Sequence, residues 1–383
     1  MDNIKLQNLD IEDFLTNYWQ KKPLLIRQAF TDFETVISPE ELAGLSCEED
    51  VFSRLVIEKD GAVPWQLASG PFKEEDFLNL PETHYSLLVS ECEKWIPELN
   101  ELVDQFNFIP KWRMDDLMIS YAPEHGSVGP HIDQYDVFLI QAHGQRHWHI
   151  QHPENIDHTL IEGVDMALLN NFQSDEDWVC NPGDLLYLPP GVAHHGISLG
   201  RCMTYSIGYR APSSKEVLIG LTETLSDAEV INETTRYLDP ILNTQRHPNE
   251  IKSEDIAQLK ANILQSITNS NDILPRVMGE LMTQKSVDLN IACNEEFAIS
   301  DQTELVRHPD ATFAYHLDQD TQQLYFFCNG KTQLLESNDL KVIQFLCDQT
   351  EFRVDQIPNH SQPSIKQLIE ILISHSQLLI MDE

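Results

Sequence analysis

His131-Ile132-Asp133 and the later phrase LPPGVAHH, which carries His194 and His195, hold the residue types and spacing most capable of chemistry in this chain. An extended strand shows residues i and i+2 on one face, so His131 and Asp133 can offer an imidazole and a carboxylate to a single ion. A third donor must return from elsewhere. His194 stands 63 residues after His131, beyond the apolar run Asp184-Leu185-Leu186-Tyr187-Leu188 and the turn Pro189-Pro190-Gly191, and His195 beside it is a rival. Two imidazoles and one carboxylate on one face of an octahedral ion leave the opposite positions open, the donor set of the non-haem Fe(II) oxygenases.

H-x-D alone is a weak signal in a chain with 15 histidines. Its setting adds weight. Gly126, Gly129 and Pro130 make a turn just before the pair, and the apolar stretch Val137-Phe138-Leu139-Ile140 follows, which puts the pair at the mouth of a strand facing a pocket.

The elements that must position these residues can be read from periodicity. Residues 8–20 and 39–46 have helical spacing, and Pro23-Leu24-Leu25-Ile26 between them is a short strand. From 113 to 210 short apolar strands alternate with turns: MDDLMISYA, DVFLIQAHG, RHWHIQ, DLLYLPPG and MTYSIGYRAP. Many short strands with Gly and Pro turns predict a jelly-roll sandwich or barrel of the cupin type rather than a parallel α/β sheet. Beyond Pro212, residues 213–238 and 251–284 carry helical spacing: Val217, Leu218, Leu221 and Leu225 in the first, Ile256, Leu259, Ile263 and Ile267 in the second. The last hundred or so residues mix helices at 338–347 and 363–377 with strands at 312–317, 322–328 and 331–335. The fold class is therefore α+β, in three parts: 1–212, 213–284 and 285–383.

The chain has 383 residues, seven scattered cysteines without a C-x-x-C pair, and no apolar run near the ~18 residues needed to span a bilayer. Its first residues lack the basic and apolar regions of a signal peptide, so the expected location is the cytoplasm with reduced thiols, away from any membrane. Acids outnumber bases 62 to 25, a net charge of −37 spread along the whole chain. Such a surface repels phosphate backbones, which argues against direct nucleic-acid binding and for a basic partner.

The run DDLMISYAPEHGSVGPHIDQYDVFLIQAHGQRHW, then LYLPPGVAHHG and MTYSIGYRAP, resembles the bacterial JmjC-type ribosomal oxygenases, as do WQKKPLLIRQAF and SPEELAGL near the N-terminus. The resemblance is strong over roughly 1–212 and architectural beyond. It implies a JmjC/cupin double-stranded β-helix barrel, a helical dimerisation module that makes the protein a homodimer, and a C-terminal winged-helix-like domain. It further implies an Fe(II)- and 2-oxoglutarate-dependent dioxygenase that uses O2 to hydroxylate the β-carbon of an arginine in the sixteenth protein of the large ribosomal subunit.

Carried over position by position, the resemblance implies His131, Asp133 and His194 as metal ligands and leaves His195 outside the ligand set. Arg146 would anchor the remote carboxylate of 2-oxoglutarate, where a fixed cation is needed. Thr204 stands where the family often has Asn and would donate a hydrogen bond to the co-substrate. Asp116 and Ser206 would hold the target guanidinium, with Met118 and Tyr135 packing its methylenes; Asp115, on the opposite face, is outside the site. Other cupin oxygenases, such as a histidine hydroxylase or a lysine demethylase, and a non-catalytic metal-binding interaction protein are the competing readings.

Overall fold

The computed structural model describes residues 5–59, 64–227, 237–239, 249–268, 273–285 and 299–381. The chain divides into two compact units, Met1–Ala211 and Pro212–Glu383.

In the first unit, helix α1 (Ile11–Asn17) starts where the Asp10 carboxylate accepts the Asp13 N–H, and α2 (Pro39–Leu45) starts at a Ser38–Glu41 capping box with Pro39 in its first turn. These caps set the ends of the helices expected at 8–20 and 39–46, the first of which is shorter than expected. Strands β1 (Leu24–Ile26), β2 (Ser53–Glu58), β3 (Trp65–Ser69), β4 (Tyr85–Val89) and β5 (Met114–Ala122) follow, with short helices α3 (Glu74–Leu78) and α4 (Leu99–Asp104) between them. Next come β6 (His131–Ile132), β7 (Asp136–His143), β8 (Arg146–Gln151), β9 (Glu176–Cys180), β10 (Leu185–Leu188), β11 (Ala193–Ser198) and β12 (Cys202–Tyr209).

The strands form two sheets, a major one in the order β1-β10-β7-β12-β5-β4-β2-β3 and a minor one in the order β6-β11-β8-β9. Alternation sorts the major sheet into two faces. One face, with Leu117, Ile119, Phe138, Ile140, Leu185, Tyr187, Tyr205 and Ile207, packs on Phe14, Leu42, Leu99 and Phe106 from the N-terminal segment and helices. The other face sends Val137, Leu139, Leu186 and Leu188 against Trp148 and Ile150 of the minor sheet, which closes the barrel lumen. The expected jelly roll is therefore present. Strands β2, β3 and β4, which the sequence reading left unassigned, widen its major sheet.

The network that ties β7 to its surroundings is polar. Asp136, fully buried, accepts from Tyr187 (2.6 Å), Gln20 (3.0 Å) and Arg113 (3.0 Å). Burial raises its carboxyl above the usual range against the pull of those three donors.

The second unit begins with α5 (Ser214–Asp227), α6 (Ser253–Thr268) and α7 (Ile273–Thr283). The helical stretch expected at 251–284 is thus two helices. Residues 228–236 and 269–272, the Leu225 side chain and Cys293 lie outside the described residues. Leu221 of α5 packs with Ile273 and Val277 of α7, and Gly279 of α7 lets the Phe327 ring approach where a Cβ would sit 2.3 Å away. Two three-stranded sheets complete the unit. One is β17 (Glu351–Arg353), β13 (Glu304–Arg307) and β18 (Leu378–Ile380); the other is β14 (Phe313–Leu317), β15 (Gln323–Cys328) and β16 (Lys331–Glu336). Helices α8 (Leu340–Asp348) and α9 (Pro363–Ser374) bury Ile343, Leu346, Ile365 and Leu372 against Leu305, Leu324 and Phe326. The helices and strands expected here are present with ends that match or shift by at most three residues.

Candidate metal and co-substrate site

The minor sheet brings the two histidines together by register. In the β6–β11 pair His131 lies directly across from His194, and their rings are 4.3 Å apart between centroids. Gly129, at φ +82, makes the turn into β6 that a side-chain-bearing residue would strain. The Asp133 backbone carbonyl accepts the Gly191 N–H at 2.8 Å, which ties the H-x-D turn to the Pro-Pro-Gly turn leading into β11.

Each imidazole is oriented by its own backbone. His131 Nδ1 sits 2.9 Å from the Gly129 carbonyl, and His194 Nδ1 sits 3.2 Å from the Val192 carbonyl. A ring whose Nδ1–H donates to a carbonyl keeps its Nε2 lone pair free, the tautomer a metal requires. Both Nε2 atoms face Asp133, at 3.9 Å from Oδ1 for His131 and 3.6 Å from Oδ2 for His194. His194 is buried, and burial, followed by the neighbouring His131, pushes it down to about 4, so it is neutral at physiological pH.

These three donors lie within 4.8 Å of one another. Two imidazoles and a carboxylate converging in this way would suit a divalent transition ion. His195 is not part of it. Successive residues of a strand face opposite ways, and His195 pairs across to His149 on the outer face of the minor sheet.

Gly196 continues the lumen face after His194, where a Cβ would lie 2.6 Å from the Trp148 ring. Its absence lets that indole lie 5.8 Å from His194 as an apolar wall.

Arg146 opens β8 on the same lumen face, four residues along the strand from the Ile150 that pairs with His194. It is 3% exposed, its Nε has no hydrogen-bond partner, and its NH2 contacts only the Cys202 sulfur at 3.5 Å. Among the described residues no carboxylate pairs with it. A buried guanidinium left short of an anion is costly unless a ligand supplies one, and a small dicarboxylate bound at the triad would do so.

Thr204 and Ser206 lie on the lumen face of β12, beside Ser120 and Met118 of β5 respectively. The Thr204 hydroxyl donates to Gln141 Oε1 at 3.2 Å, while the Gln141 amide nitrogen donates to the carbonyls of His143 (2.8 Å) and Met203 (3.2 Å). Those two bonds fix which way the amide points. The single Thr204 proton is therefore committed, and the hydroxyl can only accept from a ligand, a departure from the donor role expected of it. Gln141 had a visible signal, a polar residue on the lumen side of the otherwise apolar VFLIQA.

Asp116, Met118 and Tyr135 gather at the other end of the β5–β12 pair. A Cβ on Gly208 would lie 3.5 Å from Asp116 Oδ1 and 3.7 Å from the Tyr135 ring, so glycine there keeps a cleft open between them. Asp115, expected on the far face, also borders Gly208, with its Cβ 3.8 Å from that point, because a bulge between Ile207 and Tyr209 shifts the register. Burial, followed by the nearby Asp133 and Asp116 carboxylates, raises the Tyr135 phenol above the usual range. Arg54 of β2, which the sequence reading did not single out, reaches Met118 Sδ at 3.7 Å.

Comparison with known proteins agrees with this geometry. Residues 101–217 match the JmjC domain family and residues 232–378 match the ROXA-like winged helix family. The chain is 38% identical over 288 residues, 74% of each chain, to the ribosomal protein uL16 3-hydroxylase of Escherichia coli, and 30% identical over 88% of its length to a protein of Haemophilus influenzae described as a probable ribosomal oxygenase. Among solved structures it is similar to the ribosomal oxygenase YcfD of Escherichia coli in complex with cobalt and 2-oxoglutarate, at a TM-score of 0.81 and 29% identity over 99% of this chain and 100% of that one. With this likeness extending over both units, the chain belongs to the family of JmjC ribosomal oxygenases.

Proposed function

We propose that the protein hydroxylates the β-carbon of an arginine in ribosomal protein uL16, with Fe(II), 2-oxoglutarate and O2. The observation that carries this reading is one lumen holding two things together: a converging His131–Asp133–His194 donor set and the buried, anion-deficient Arg146. The donor set fits Fe(II), and Arg146 fits the remote carboxylate of 2-oxoglutarate. The metal, when bound, would activate O2, the oxidant that couples decarboxylation of 2-oxoglutarate to C–H hydroxylation.

The protein's part is orientation and exclusion of water. His131, Asp133 and His194 would hold the ion, with Trp148 drying the His194 side. Thr204, its proton given to Gln141, borders the co-substrate without donating to it. Asp116 and Ser206 take the target guanidinium, where a carboxylate can accept two parallel N–H bonds, and Met118 and Tyr135 cover its stem. No residue is needed as a general base.

Action in the cytoplasm as a homodimer is part of the same proposal. No described helix is long and apolar enough to cross a membrane. Ile256, Leu259 and Ile263 of α6 form an exposed apolar stripe at helical spacing, which suits a two-fold contact. The acid-rich C-terminal domain would help receive a basic protein and not DNA. Incubation of recombinant uL16 with the protein, Fe(II), 2-oxoglutarate and O2 should add one oxygen to a single arginine, located by fragment mass spectrometry. Unmodified uL16 alongside stoichiometric succinate formation on another protein would overturn the substrate.

A further inference from the structure

The outer face of the minor sheet holds a second convergence of metal-type donors. His147 and His149 are two apart on β8, so both rings leave the sheet on the side opposite Arg146 and Trp148. Asp177 of β9 pairs across from His149. One donor atom from each of the three lies within 4.8 Å of the others. The two imidazole rings are 4.1 Å apart between centroids.

A cross-strand His–Asp hydrogen bond accounts for only half of this. His149 Nδ1 bonds Asp177 Oδ1, which also accepts from Ser174 at 2.9 Å. The His147 Nε2 points at the same oxygen from 3.8 Å, too far for a hydrogen bond. Two rings thus face one carboxylate oxygen, and one of them is left without its bond.

We propose that His147, His149 and Asp177 form a second cation site, separate from the lumen site, that takes a borderline divalent transition ion such as Zn2+, Co2+ or Ni2+. Two imidazoles and one carboxylate select that class over Mg2+ and Ca2+, which prefer oxygen donors throughout. The side chains are 32%, 24% and 53% exposed, which leaves room for water to complete the coordination shell. Coordination through His149 Nδ1 would replace its bond to Asp177, with the ring proton moving to Nε2 so that the imidazole stays neutral and no net proton is released. Beside the pair, the His195 Nε2 is buried without a hydrogen-bond partner, its ring centroid 6.1 Å from that of His149.

The site does not depend on the proposed oxygenase reaction. The full-length protein, stripped with chelator and dialysed against Co2+, should hold two ions per chain by elemental analysis. Asp133→Ala should leave one, and the double variant His147→Ala/His149→Ala should also leave one while keeping the lumen ion. His147→Gln, a gentler change, should weaken the second Co2+ at least tenfold by calorimetric titration with an unchanged melting curve. A single ion in the wild type, or two ions retained in the folded double variant or undiminished affinity in His147→Gln, would overturn the proposal.

Discussion

Along β8 and β11 every second residue serves a different environment. The lumen face reads Arg146, Trp148 and Ile150 against His194, Gly196 and Ser198; the outer face reads His147 and His149 against His195 and Ile197. Inside, His194 and Arg146 are each 3% exposed, and the Arg146 Nε, an atom that a folded protein normally satisfies, is left waiting. Outside, His149 already has Asp177, the His147 and His149 side chains are 32% and 24% exposed, and the His195 Nε2 is buried without a partner. Histidine thus faces a closed lumen on one side of the sheet, while on the other an ion at His149 must compete with an existing hydrogen bond.

The sharpest way to break that contrast is to remove histidines from each face in turn. His131→Ala, Asp133→Ala or His194→Ala should abolish Fe(II)-dependent turnover, a loss of at least about a hundredfold, on the order of the ~10²–10⁴ effects seen when an orienting or binding group is removed. His195→Ala, one residue from His194 but facing outward, should keep activity within a few-fold. Steady-state succinate release at controlled metal concentration checks this. Equal losses for His194→Ala and His195→Ala would mean that face does not separate the two roles.

Arg146→Ala tests whether the unsatisfied guanidinium awaits the co-substrate. Removing one charge-assisted pair from a desolvated site costs about 2–5 kcal/mol, or roughly 30-fold or more in the KM for 2-oxoglutarate at about 1.4 kcal/mol per tenfold. The KM for the protein substrate should change little. An unchanged 2-oxoglutarate dependence would reassign the anchor to Arg201 or Arg210.

How much of this contrast was legible follows from the physics of strands. A period of two is written directly in RHWHIQ and in H-x-D, so the lumen residues and the barrel itself could be read without coordinates. What could not be read is long-range pairing. That His131 meets His194, that Asp177 returns to His149 and that Gln141 fixes the Thr204 hydroxyl are decided by register between segments up to 63 residues apart, which no local pattern encodes. Strands β2, β3 and β4 escaped for a related reason. SRLVIE and YSLLV are short apolar runs that suit a buried strand or a helix equally, and only partners elsewhere in the sheet settle them. The bulge that brings Asp115 beside Gly208 breaks the very alternation on which the reading rested.

Thr204 offers a finer test within the lumen. If its proton is committed to Gln141, Thr204→Val should strand a buried amide oxygen and lower stability by about 1–3 kcal/mol, seen in chemical denaturation. The KM for 2-oxoglutarate should meanwhile move by less than threefold. A tenfold rise in that KM without loss of stability would show that the hydroxyl donates to the co-substrate after all.

The smallest effect concerns the connection from β8 to β9, which joins the two faces at the H-x-D turn. Its Leu169 N–H donates to the Pro130 carbonyl at 2.8 Å, immediately before His131. Asp157 clamps this connection, accepting from the Thr159 N–H (3.0 Å), the Thr159 hydroxyl (2.6 Å) and Asn171 (2.8 Å). Those bonds, the Thr159 hydroxyl first, hold its carboxyl down at about 2 against an ordinary 3.8. A carboxyl depressed on folding contributes stability that is present above its unfolded value and lost as pH falls towards its folded one. The stability gap between the wild type and Asp157→Asn should therefore be constant near neutrality and narrow between about pH 4 and pH 2, and hydrogen exchange at Leu169 should quicken in the same window. A gap that stays flat down to pH 2 would assign the order of this connection to Leu168 and Leu169 packing, and the polar clamp would have no part in holding His131.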